Sequence, residues 1–271
     1  VSISAAWKTL AESENSAGII LAVDFDTTGR PEARFSDLVA HMGPGHTVWE
    51  SVPPPGGTLG PDDYIEHWAA PIEAGRRPVR ALTGFCAGAV YAAALAERIR
   101  AVQDTEPRLI LFDPELSTAQ TLMWQYHKVM GFMSAVLSAD EIAEARAAGQ
   151  RLHDRDPEVG ALKDALIALA RETGEPALTK AGLDEARREE LFEVFESFLG
   201  YLAAAGRIDP LPEWRKAIAF SSASPLSGLN AMRASGLGGE VTVAEEIGID
   251  VDHGTMLAHA GLAASFTALL P

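Results

Sequence analysis

An alternation of short apolar runs with helix-patterned segments constrains this chain most. Residues 17–25 (AGIILAVDF) are a continuous apolar run of buried-strand length, and Phe35, Leu38, Val39 and Met42 follow at helical spacing. HTVWESV (46–52) reads as a second strand, closed by the turn-rich PPPGGTLGP. A helix is predicted from Pro61 to Gly75, since proline suits a first turn and glycine an end. PVRALTGF (78–85) is a third strand, AGAVYAAALAERIRAV (87–102) its helix, and EPRLILFDPE (106–115) a fourth strand. Residues 116–211 are helix-patterned throughout, with charges opposite an apolar stripe. Strand patterns return in WRKAIAFSSAS (214–224) and GEVTVAEEI (239–247), and residues 255–270 close the chain as a helix. Strands alternating with helices predict an α/β class with a mostly parallel sheet flanked by helices. Its core is expected at residues 1–115 and 212–271, with a large helical lid insertion at 116–211.

Composition narrows the functions open to such a fold. The formal net charge of −16 argues against nucleic acid and anionic membranes as partners, because both need basic patches. No apolar run approaches the roughly 20 residues of a membrane span. The first residues lack a basic segment followed by an apolar one, so no secretion signal is expected. A single cysteine forms no internal disulfide, which fits a cytoplasmic location.

In an open parallel sheet, ligands bind at the carboxyl ends of the strands. Gly84-Phe85-Cys86-Ala87-Gly88 lies there, between the third strand and its helix. Its G-x-C-x-G form is the nucleophile-elbow pattern with sulfur in place of oxygen. Gly84 and Gly88 allow strand and helix to pack closely, and the helix N-terminus favours a thiolate. The alternative is a small buried apolar cysteine, the usual fate of a free one. A nucleophile needs a base, and the base an orienting acid. Asp113 ends the next strand; its other reading is a turn residue before Pro114. His253 lies in the loop before the last helix, with His259 on that helix in reserve. His41, His46, His67, His127 and His153 fall in helices or surface turns. The penultimate strand segment, AIAFSSASPLS, carries no carboxylate, which favours Asp113 as the acid.

The order Cys86, Asp113, His253 repeats that of the α/β-hydrolase fold. The chain resembles the releasing thioesterase domains of nonribosomal peptide and polyketide synthetases. The resemblance rests on LTGFCAGAVYAAALA, LILFDPE, AIAFSSASP and VDHGTMLA, in about two thirds of the chain. It departs from that family in having Cys86 where serine is usual, Ala89 after Gly88, and DFDTTGRP where His-Pro or Gly-Gly usually shapes the oxyanion hole. Nothing in the sequence separates a native cysteine from one set in place of serine. The resemblance implies an acyl or peptidyl carrier protein as partner, and a substrate presented on its phosphopantetheine arm. No other cofactor and no metal is implied. It also implies a C-terminal piece of a larger synthetase, with which the valine start agrees. Oxyanion donors are expected at the Ala87 N–H and near Phe25 or Asp26. The expected reaction is acyl transfer to Cys86 and release by hydrolysis or cyclisation. A free-standing editing thioesterase, an esterase on small soluble esters and a binding protein with an inactive elbow remain open. Trp124, Tyr126, Met130, Phe132 and Met133 read equally as an acyl channel or as ordinary core of the helical segment.

Overall fold

The computed structural model describes residues 5–26, 30–56, 59–75 and 77–271. The chain divides into two compact units. One comprises Val1–Pro54, Gly60–Leu116 and Ile208–Pro271; the other comprises Pro55–Leu59 and Ser117–Arg207.

The first unit is built on a seven-stranded sheet in the order β1-β3-β2-β4-β5-β6-β7. The strands are β1 (Trp7–Ala11), β2 (Ile19–Val23), β3 (Thr47–Ser51), β4 (Val79–Phe85), β5 (Arg108–Phe112), β6 (Ile218–Ser221) and β7 (Glu245–Gly248). All neighbours run parallel except β1 and β3. Every residue of β2 is buried, as expected of a central strand covered on both faces. Its side chains alternate between two cores. Ile20 and Ala22 join Ala81, Phe85, Ile110, Phe112 and Phe220 beneath α1 (Phe35–His41) and α10 (Ala260–Leu269). Elsewhere in this unit α2 (Pro61–Gly75), α3 (Gly88–Arg100) and α8 (Leu211–Trp214) pack together. There Trp68 and Tyr91 meet edge to face at 5.3 Å, and the Trp214 Nε1–H donates to the Ala89 carbonyl. α9 (Gly228–Ala234) follows β6.

Two edge elements differ from expectation. β1 carries no strong sequence signal, because only Trp7 of its five residues is buried. The last strand begins at Glu245, later than the Val241–Val243 alternation suggests. Val241 is buried ahead of the strand, whose own residues are mostly exposed.

The second unit is helical. α4 (Ala119–Phe132), α5 (Ala139–Arg155), α6 (Val159–Lys180) and α7 (Glu185–Ala205) pack on one another. Ser138, Glu158 and Asp184 cap the last three with side-chain acceptors. Tyr126 and Met130 are fully buried in this unit, and the Tyr126 hydroxyl donates to the Ala145 carbonyl. Trp124 and Phe132 are 54% and 63% exposed, so the five apolar residues of this stretch do not share one environment. Among the described residues no helix is long and apolar enough to cross a membrane.

Candidate active site

β4 ends at Phe85 and α3 begins at Gly88, leaving Cys86 on a turn at φ 53°. A non-glycine residue held in that left-handed region costs roughly 1–2 kcal/mol. The Phe112 carbonyl accepts the Cys86 N–H at 3.0 Å, and the Cys86 carbonyl accepts from Ala89 at 3.1 Å and Glu115 at 3.3 Å. The flanking glycines are steric requirements. A Cβ on Gly84 would lie 2.6 Å from the Ala89 backbone, and one on Gly88 would lie 2.1 Å from the Val23 carbonyl oxygen.

Asp113 stands one residue past β5, fully buried, at φ 42°. Both of its carboxylate oxygens are used. Oδ1 accepts the Ser222 N–H at 2.8 Å, and Oδ2 meets His253 Nδ1 at 2.8 Å. With a proton on Nδ1 donated to this carboxylate, Nε2 is left as the basic nitrogen. The His253 N–H donates to Ser224 Oγ at 2.9 Å, and its ring stacks on Phe85 at 4.6 Å with planes 17° apart. Asn230 Nδ2 donates to the Ser222 and Ser224 carbonyls, fixing the loop that holds both members of the pair.

The thiol itself faces a second carboxylate. Cys86 Sγ lies 3.9 Å from Glu115 Oε2, and among the described residues it makes no hydrogen bond to His253. Burial pushes the thiol well up, and Glu115, Asp24 and Asp113 add to the shift; the Ala87 N–H opposes it. The thiolate expected at a helix N-terminus is therefore not the resting form, because desolvation and three carboxylates outweigh the local N–H groups. Burial likewise raises Glu115, against the Gly228 N–H and His253, which favour its charged form.

The loop after β2 is held by a buried ion pair. Asp24 Oδ2 meets Arg30 at 2.7 Å, and Arg30 also donates to the carbonyls of Phe25, Glu32 and Ala33. The guanidinium lies 5.6 Å from the centre of the Phe85 ring. The Phe25 N–H is engaged by Asp24 Oδ1 at 2.8 Å, and the Asp26 carboxylate pairs with Lys8 and Arg34. Residues 27–29, and with them Gly29, lie outside the described residues.

No protein-family model matches the sequence. No curated protein matches it either. Solved structures match in shape. The thioesterase domain of NocB from the nocardicin cluster superposes with a TM-score of 0.54 at 14% identity, over 98% of each chain. An enol-lactonase from Burkholderia xenovorans LB400 gives 0.51 at 15% identity, over 97% of this chain and 93% of that one. MGS-M2, an α/β hydrolase from a deep-sea metagenome library, gives 0.51 at 12% identity, over 97% and 91%. With holo-AB3403, a four-domain nonribosomal peptide synthetase, the TM-score is 0.52 at 14% identity; 92% of this chain is covered, but it spans only 19% of that one. The chain has the α/β-hydrolase fold.

On this hydrolase fold the residues singled out in the sequence fall as two partly separate groups. Asp113 and His253 are bonded directly, whereas the Cys86 thiol is turned to Glu115, and Phe85, the residue before Cys86, stacks on the His253 ring. His259 serves a different purpose: it caps α10, its Nδ1 accepting the Leu262 N–H. Glu115, Arg30, Ser222 and Ser224 were not singled out. Only Glu115 leaves a trace in the sequence, as the second carboxylate of the Asp-Pro-Glu turn.

Proposed function

We propose that the chain is a thioesterase and acyltransferase with Cys86 as nucleophile, His253 as general base and Asp113 as its orienting acid. The observation that carries this is the 2.8 Å Asp113–His253 contact beside a cysteine at φ 53° on a strand-to-helix turn. A thiol pushed up by burial is a poor nucleophile unaided, so a base beside it is what the chemistry needs.

In the first half-reaction His253 Nε2 takes the thiol proton as sulfur attacks the thioester carbonyl. The Ala87 N–H stabilises the resulting oxyanion, with the amide at Asp26 the second donor on the β2 loop. The pantetheine thiol leaves with the proton from His253. Exchange of one thioester for another is nearly thermoneutral, so the acyl group stays activated. Water or a nucleophile within the acyl chain then attacks, His253 takes that proton, and Cys86 departs as a thiol. The substrate class, an acyl or peptidyl chain on a carrier protein's phosphopantetheine, is supported by the resemblance of the elbow, acid and histidine segments to those of synthetase thioesterases.

Turnover of acyl-pantetheine thioesters should exceed turnover of the matching simple esters, and Cys86→Ala should abolish both. Equal rates on both substrates would favour a small-ester hydrolase. Rates unchanged by Cys86→Ala would overturn the reading.

A further inference from the structure

One turn carries two carboxylates to the two members of the proposed nucleophile–base pair. After β5 the backbone passes through Asp113 at φ 42° and then Pro114. Asp113 is thereby aimed at His253, and Glu115 back at Cys86. Glu115 is tied in place at both ends. Its N–H donates to the Cys86 carbonyl at 3.3 Å, and its Oε2 accepts the Gly228 N–H at 3.4 Å while facing the sulfur at 3.9 Å.

A thiol has one proton and gives it to one acceptor at a time. We propose that Glu115 is a positioning residue for the nucleophile: its carboxylate holds the protonated Cys86 thiol in a resting contact that must be released before His253 takes the proton. This rests on the assignment of Cys86 and His253 above. The contact is long and the thiol a weak donor, so the hold is readily reversed. Proton and charge stay balanced, since the proton moves from sulfur to His253 Nε2 and Glu115 keeps its charge. Besides Glu115, the carboxylates whose charge raises the thiol are Asp24, paired with Arg30, and Asp113, bonded to His253; the charges of His253 and Asp113 and the Gly228 N–H act on Glu115. The cation of this neighbourhood, Arg30, is committed to Asp24 at 2.7 Å and is the same in every variant, so the change on removing Glu115 reads the Glu115 charge.

Cys86 is the only cysteine, so alkylation reads this thiol alone. The rate of iodoacetamide labelling is measured against pH for the wild type, Glu115→Gln, Glu115→Asp and His253→Ala, each checked for folding by its thermal melt. Glu115→Gln should move the labelling midpoint down by about one unit, roughly tenfold faster labelling at neutral pH. Glu115→Asp, which keeps the charge but draws the carboxylate back by one methylene, should fall between the wild-type and Glu115→Gln profiles. An unshifted or slower Glu115→Gln profile overturns the proposal, and so does absence of labelling in both proteins. His253→Ala reports separately on the function. If His253→Ala keeps wild-type turnover of acyl-pantetheine thioesters while Glu115→Gln shifts the labelling profile, the Glu115 hold stands and the cysteine–histidine assignment fails.

Discussion

Cys86 at φ 53° and Asp113 at φ 42° are the two non-glycine residues with positive φ among the described residues, and both follow the last residue of a parallel strand. Their strain is held by packing that leaves no room for change. Gly88→Ala would drive a methyl group to 2.1 Å from the Val23 carbonyl, so either the elbow or β2 must shift. We expect a loss of about 3 kcal/mol, read from the urea midpoint, with activity lost in parallel. An unchanged midpoint would mean that the elbow is looser than its geometry implies. The elbow was legible in the sequence because its glycines are obligatory. The orientation of Glu115 was not, because it depends on a left-handed Asp113 that no glycine announces.

At the scale of elements, the edge pair β1 and β3 places Lys8 opposite Glu50. Glu50 is 1% exposed, and burial outweighs the Lys8 charge to push its carboxyl from 4.5 up to about 6. The folded state thus holds the Glu50 proton more tightly than the unfolded one. The stability tied to that proton is present below about pH 4.5 and is lost as pH rises through about 6. The penalty above that pH is about 2 kcal/mol. Glu50→Gln should therefore gain stability relative to the wild type as pH rises from 5 to 7, as followed by thermal melts. A difference independent of pH would contradict the assignment. Such edge strands were the poorly legible elements. The central strands announce themselves by unbroken apolar runs, whereas β1 buries one side chain and β7 is mostly exposed.

Over the whole molecule, strand–helix alternation was enough to read an α/β sheet, and the break in that rhythm after residue 115 marked the start of the helical segment. What the sequence left unassigned is how side chains from distant segments pair. Ser224 holds the His253 N–H and Arg30 holds the Asp24 carboxylate, each through contacts fixed only when the chain folds. Transfer of the acyl group to Cys86 is the step on which the proposed reaction depends. Intact mass spectrometry after incubation with acyl-pantetheine thioesters, followed by peptide mapping, tests it most directly. A mass gain of one acyl group is expected on the peptide containing Cys86, absent in Cys86→Ala and slowed in His253→Ala. An acyl group on any other residue, or a gain that persists in Cys86→Ala, would contradict it.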